Sequence, residues 1–302
     1  MGEDSSSYLN YVNTSGFPLQ IAIEHEVNQN QYEHGWYVVG REHHWMESQG
    51  GKDGYIDLVL SHMTYKYRAI IECKRQLDKS WVFLVSSDDK KKNSAILLWS
   101  QGLILGANDD ATAFKAWDSV QIAPSSFTSS FCTMQGQSHN DKPMLERIGS
   151  EVVLMTESIA EEESAYVRSR IGAFPVIYLP MICTTAKLLV CKFQPSNISI
   201  QTGTLASENV EFVEVPFIQF QKSLPTNIMR GSTHVLPNIP EYIPDIDDSN
   251  KFQQRSIFVV QANAIVTFLK SFKLQEEDIY TSYHYPWKAI ENLLRRQSGH
   301  NK

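Results

Sequence analysis

Two short apolar runs dominate the hydrophobic pattern of the N-terminal quarter of the chain: Gly54-Tyr55-Ile56-Asp57-Leu58-Val59-Leu60 and Arg68-Ala69-Ile70-Ile71-Glu72-Cys73-Lys74. Short runs rich in Ile and Val predict buried strands, and residues 62–67 are long enough for the hairpin loop between them. Side chains alternate along a strand, so Glu72 and Lys74 are expected on one face with Cys73 on the other. On the first strand, Asp57 and Val59 are expected to oppose the face of Ile56, Leu58 and Leu60. Upstream, Leu19, Ile23 and Val27 recur at helical spacing, which predicts a helix from Pro18 to about His34 that Gly35 ends. Trp36-Tyr37-Val38-Val39 then reads as a strand, followed by a charged stretch from Arg41 to Lys52. The first 75 residues thus give helix–strand–strand–strand, after a polar segment, residues 2–16, that is expected to fray.

Farther along, Trp81-Val82-Phe83-Leu84-Val85 reads as a further strand or a buried connector, and Asp88-Asp89-Lys90-Lys91-Lys92 as a solvated turn. Residues 125–137, rich in Ser and Gln, read as loop. The region after the Glu72 strand is therefore an expected insertion or lid, at about 86–142. Leu145, Ile148, Val152, Met155 and Ile159 recur at steps of three and four, predicting an amphipathic helix over 143–170 with Glu161-Glu162-Glu163 on its wet face. Strands are expected over 174–183 and 187–193, the first interrupted, bulged or at an edge because of Pro180. A strand–helix–strand crossover from the Glu72 strand would complete a mixed α/β sheet. Beyond about residue 194, strand-like segments at 198–200 and 210–220 precede a connector with Pro225, Pro237, Pro240 and Pro244. Ile257-Phe258-Val259-Val260, a helix capped by Asn263 and running to Phe272, and a terminal helix over 286–296 complete the expectation. The organisation reads as a domain over 1–193 and a C-terminal α/β extension over 194–302.

Composition narrows the classes. The hydrophobic fraction of 42% and charged fraction of 20% are those of a globular chain with a substantial core. A net charge of −7 means that any nucleic-acid surface is a local patch rather than a global field. Cys73, Cys132, Cys183 and Cys191 form no CxxC pair, which suits reduced thiols and a cytoplasmic location and disfavours a zinc site. No apolar run approaches the ~18 residues needed to span a bilayer, and the first residues lack the features of a secretory signal.

Charge placed in apolar strands is costly unless it is paired or binds metal, so the Asp57, Glu72 and Lys74 positions need a reason. An Asp-bearing strand and a Glu-x-Lys strand, preceded by a helix with a glutamate and a strand, resemble the PD-(D/E)xK nuclease superfamily, the restriction-endonuclease-like fold. The resemblance covers residues 17–76 and extends through the helix at 143–170 to residue 193. It implies that Asp57 is the motif aspartate, Glu72 the acidic residue of the third strand and Lys74 the lysine. Ile56 stands where the name-giving proline would be. Spacing to Gly35-Trp36 is similar to that of archaeal Holliday-junction resolvases and Mrr-like enzymes, and assigns the helix glutamate to Glu24. Glu26 is the alternative, because the two lie about 200° apart on a helix and only one can face the site.

The resemblance implies a Mg²⁺- or Mn²⁺-dependent hydrolase of nucleic-acid backbones, more often DNA, in restriction, repair or defence, acting alone, as a homodimer or with a partner protein. Asp57 and Glu72 are hard oxygen donors suited to such a cation, the Cys73 backbone carbonyl is a further donor, and Glu24 would serve a second metal or a bound water. Lys74 beside two carboxylates should stay protonated, to orient water or stabilise transition-state charge. The alternative is a catalytically silent nuclease-fold subunit that binds nucleic acid or a partner. The bland reading is a cross-strand ion-pair cluster, since Glu-x-Lys alone is common by chance. Gly50-Gly51-Lys52 lacks the Ser or Thr of a P-loop, and no HExxH, GxSxG or GxGxxG is present.

Overall fold

The computed structural model describes residues 5–46, 51–105, 110–136, 144–163, 176–223 and 254–274. Helices α1 (Ser5–Thr14), α2 (Phe17–Gln29) and α3 (Gln31–His34) lead into strands β1 (Trp36–Met46), β2 (Asp53–His62) and β3 (Tyr67–Lys74). Next come β4 (Ser80–Ser86), β5 (Lys92–Leu105), β6 (Asp110–Ser126), β7 (Thr128–Ser129), β8 (Cys132–Met134) and α4 (Met144–Glu162). The chain continues through β9 (Val176–Thr184), β10 (Lys187–Phe193), β11 (Val210–Glu214), β12 (Phe217–Ser223), β13 (Gln254–Gln261), α5 (Ile265–Ser271) and β14 (Lys273–Leu274).

The mixed α/β architecture has one large sheet in the order β1-β2-β3-β9-β13-β12-β7, with β5 joined to β9 and β6, and β14 to β6. β2 runs antiparallel to β1 and β3, whereas β3, β9 and β13 are mutually parallel. Helix α4 supplies the crossover that a parallel β3–β9 pair requires. A second sheet, β11-β10-β4-β8, packs with α4 on one face of the large sheet. That layer buries Trp81, Phe83, Leu188, Val190 and the α4 stripe Leu145, Ile148, Val152, Ile159. The opposite face carries α2 and α5, through Ile23, Val27, Ile265, Phe268 and Leu269.

The central strand is β9, buried at every position. Pro180 therefore lies in the middle of the sheet and not at an edge. It pairs with Ile70 on the β3 side, while the other side of β9 bonds β5 at residues 176–178 and β13 at 181–184. Pro180 falls in the two-residue break between those ladders, where a missing N–H donor leaves no ladder bond unmade.

Other expectations change in detail. Residues 5–14 form a helix with no buried side chain rather than a frayed segment. The first long helix breaks at Asn30, and Gly35 ends α3 at φ +77°, a left-handed conformation in which a Cβ would also meet His62 Nε2 at 2.6 Å. β1 continues to Met46 through the charged stretch, because its ladder with β2 covers that length. The expected lid at 86–142 contains the long β5–β6 hairpin, and residues 125–137 carry β7 and β8. Residues 198–200 form no strand, and Ile200 is fully exposed. The 210–220 segment is two strands, and α5 follows a short 3₁₀ turn at Ala262–Ala264 without a side-chain cap. The proline-rich connector, the helix at 286–296 and the continuation of α4 beyond 163 lie outside the described residues.

Glu161 and Glu162 at the end of α4 are exposed, as expected of a wet face, whereas Glu163 is half-buried, and all three are paired. Glu161 pairs with Lys115, Glu162 with His43 at 2.7 Å, and Glu163 with Arg68 at 2.8 Å. The Tyr178 hydroxyl also donates to Glu163, at 3.1 Å. Nor does residue 193/194 divide the sheet, since β12, β13 and α5 contribute to the same two cores as the N-terminal elements.

Candidate active site

The β2–β3 ladder runs from Ser61–Arg68 to Leu58–Ile71. One step further in register, Asp57 and Glu72 face each other where the ladder stops. There the Cys73 N–H donates to Asp57 Oδ2 at 2.6 Å, so the carboxylate takes the place of the next backbone bond. From α2, Gln20 Nε2 donates to the Asp57 carbonyl at 2.9 Å and fixes the strand from the other side. Alternation slips at this point. Ile56 packs with Val59 and Ile70 under α4, whereas Leu58 and Leu60 pack under α2, so the expected common face of Ile56, Leu58 and Leu60 is not kept. On the neighbouring β1 strand, Glu42 has φ +48°.

Glu72 is 7% exposed and lies on the α4 side. Its Oε1 accepts from Lys74 Nζ, confirming the shared face expected for the pair, and its Oε2 is buried without a hydrogen-bond partner. The end of β3 is held by β9, where Thr184 Oγ1 donates to the Lys74 carbonyl at 2.8 Å and Thr185 N–H does so at 3.2 Å. Burial, then the nearby Asp57 charge, pushes the Glu72 carboxyl up to about 7 against the pull of Lys74. Burial also raises the Asp57 carboxyl, opposed by the Cys73 N–H and by Lys74. Two like charges in partial burial with one cation between them are under-compensated.

The helix glutamate is placed elsewhere. Glu24 pairs with Arg41 at 3.1 Å and lines a shallow surface cleft with Ile21, His25, Asn28, Gln29 and Arg41. The nearby charges of Glu42 and Glu151 help raise the Asp57 and Glu72 carboxyls respectively. Glu26 is exposed. On α2 the buried positions are Gln20, Ile23 and Val27, so the face turned to the sheet brings an amide to Asp57, one turn before Glu24. Cys73 meets Asp57 through its N–H and its thiol, and its side chain also packs on the opposite core, register-paired with Cys183.

Gln20, Glu42, Glu151 and Thr184 are contributors that the sequence reading missed. Only Gln20 carried a signal, as a polar residue at i, i+3, i+7 spacing with Ile23 and Val27. The other three act across elements.

Among the described residues no three His, Cys, Asp or Glu side chains converge as a metal-binding group. The two carboxylates nevertheless have the chemistry of a Mg²⁺ site, since this cation keeps several waters and takes one or two protein carboxylates. The buried, partnerless Glu72 Oε2 is the atom that such a cation would satisfy. No protein-family model, no curated protein and no solved structure matches the chain.

Proposed function

We propose that the chain is a metal-dependent nuclease of the PD-(D/E)xK type, hydrolysing phosphodiester bonds with DNA as the favoured substrate. The observation that carries this reading is the Glu72 carboxylate: buried, paired to Lys74 through one oxygen, facing Asp57, and left with its other oxygen unsatisfied. A surface ion-pair cluster does not explain a carboxylate that is 7% exposed and lacks a partner on one oxygen. The element order also supports it: helix, three antiparallel strands, crossover helix and a strand parallel to the third.

A bound Mg²⁺ or Mn²⁺ would polarise the phosphate and acidify a water. Asp57 and Glu72 would hold the cation. The Cys73 N–H fixes the Asp57 carboxylate, and Gln20 fixes its backbone. Lys74, held by Glu72, presents a cation to the reacting phosphate and stabilises its developing charge. Glu24, neutralised by Arg41, has no part in this site as it stands.

The Glu24–Arg41 pair is also the observation that favours the second reading, a silent nuclease-fold subunit that binds nucleic acid without cutting it. A panel of single-stranded, double-stranded and branched DNA plus RNA, with Mg²⁺, Mn²⁺ or chelator, separates the two. Glu72→Gln and Lys74→Ala are each expected to lower cleavage at least about 100-fold while circular dichroism stays native, as for loss of a group that stabilises transition-state charge. Metal-dependent cleavage that survives both substitutions overturns the assignment; salt-sensitive binding without turnover selects the silent subunit.

A further inference from the structure

The small sheet β11-β10-β4-β8 has one face in the core and one face out. Trp81, Phe83 and Val85 of β4 and Leu188 and Val190 of β10 point inward. The alternate positions therefore face outward; those in the middle of the sheet are apolar, while Ser80, Ser86 and Lys187 lie at its ends. Register aligns Phe212, Cys191 and Leu84 in one row, and Leu84 N–H donates to the Phe131 carbonyl at 3.1 Å, which extends the row to Phe131. The row is capped at both ends by exposed rings, Phe131 at 69% and Phe212 at 57%. The adjacent row runs Glu214, Leu189, Val82, Thr133, with the Glu214 carboxylate paired to Lys187 at 2.9 Å.

Among the described residues, the cations at the two ends of β4 stand without carboxylate partners. Eight described lysines and arginines elsewhere or at the sheet's margins sit in ion pairs: Arg41, Arg68, Lys74, Lys115, Lys187, Lys192, Lys222 and Lys270. Arg75 and Lys79 precede β4, and Lys90, Lys91 and Lys92 follow it. Among the described residues none of these five has a carboxylate partner, and Lys91 instead sits 5.1 Å over the Phe127 ring. Residues 75–92 hold five cations against three aspartates, Asp78, Asp88 and Asp89, a net of +2 in a chain of −7. The start of β4 lies close in sequence to the candidate site. Only residues 75–79 separate Lys74 from β4, and Lys187 N–H donates to the Lys79 carbonyl where β10 begins.

We infer that the outer face of this sheet is a platform for single-stranded nucleic acid, its bases stacking on Phe131 and Phe212 and its phosphates met by the cations at the two ends of β4. Exposed aromatics on a sheet face recognise unstacked bases, and cations without carboxylate partners neutralise phosphate. A duplex hides its base faces and gains nothing from the rings. This platform rests on the nucleic-acid reading above and adds to it a substrate class: a strand with a single-stranded segment beside the cleavage point.

The test is fluorescence anisotropy of the full chain in chelator with labelled oligo-dT, oligo-U and a duplex of equal length. The same oligonucleotides are assayed for cleavage with Mg²⁺. The wild type is expected to favour single strands over duplex. Phe131→Ala with Phe212→Ala should weaken single-strand binding by about tenfold or more without moving the melting temperature, because both rings are exposed. Phe131→Trp with Phe212→Trp should retain it. Replacing Lys90, Lys91 and Lys92 by Ala should reduce the salt dependence of single-strand binding by up to about two units of log–log slope. Equal binding by wild type and the double-alanine variant overturns the platform, as does a wild type that ignores single strands or a chain that self-associates through these rings. Cleavage that persists beside such a result leaves the nuclease reading standing; ring-dependent binding with no cleavage under any metal removes the nuclease and keeps the platform.

Discussion

Glu72 concentrates the energetics of the site in a single carboxyl group. Its folded pKa of about 7 lies above the ordinary carboxylate value, so the folded protein holds this proton more tightly than the unfolded chain does. The stabilisation is fully present below the unfolded pKa and is lost as pH rises through about 7. In chelator, the melting temperature is therefore expected to fall between pH 5 and pH 8, and Glu72→Gln should flatten that fall. Near pH 8 the variant should be the more stable protein, by about 1–3 kcal/mol. Adding Mg²⁺ should raise the wild-type melting temperature at pH 8 and leave Glu72→Gln unmoved. A pH profile identical in the two proteins would show that the carboxyl is solvated. His34 acts in the opposite sense. Burial lowers its pKa, and its Nδ1 accepts the Trp36 N–H at 3.0 Å, a role that a protonated ring cannot fill. Its contribution is present above pH ~6.5 and is lost as pH falls through the folded value.

At the scale of elements, α4 does two jobs that make opposite demands on its sequence. Its middle packs so closely on the sheet that a Cβ at Gly149 would lie 2.9 Å from Ile257 Cδ1. Gly149→Val is thus expected to destabilise by about 1–3 kcal/mol in denaturant unfolding, the cost of overpacking in a filled core. Its C-terminal end ties three strands together through charge. Glu163 accepts from Arg68 of β3 and Tyr178 of β9, and Arg68 in turn donates to Ser61 of β2 at 2.9 Å. Glu163→Ala leaves a largely buried guanidinium unpaired and is expected to cost about 2–4 kcal/mol. The double variant with Arg68→Met should recover part of that loss. Equal losses in the single and double variants would place the cost in Tyr178 instead.

Across the whole molecule the two cores share one central strand, β9, and each is completed from the C-terminal third of the chain. Phe220, Ile257 and Val259 fill the core under α4, while Phe258, Val260, Phe268 and Leu269 fill the one under α2. A chain ending at residue 193 would expose one side of β9 along Met181–Thr184. It is expected to show no cooperative thermal transition, and Phe258→Ala in the full chain should cost about 3–5 kcal/mol, as for a fully buried aromatic. A folded 1–193 fragment would restore the boundary that the sequence suggested. Among the described residues, no helix is long and apolar enough to cross a membrane.

The short Ile- and Val-rich runs alone determined β2 and β3, the Glu72–Lys74 face and the hairpin between them, because period and composition are local properties. Helical spacing likewise determined α2 and the α4 stripe, and Gly35 its own left-handed stop. What local pattern could not carry was partnership. Pro180 left an interrupted, bulged or edge strand open, because a proline removes a donor wherever it sits; only the tertiary arrangement put it in the central strand, at an interruption between two partner strands. Glu24 and Gln20 lie one turn apart on α2, and the sequence favoured the charged residue. The sheet decided otherwise, since the buried stripe of Ile23 and Val27 turns Gln20 toward Asp57 and leaves Glu24 to Arg41. Residues 210–223 and 254–274 showed no link to the N-terminal motif because β13 pairs with β9, and β12 with β13 and β7, across long stretches of chain, and pairing at that distance leaves no periodic trace.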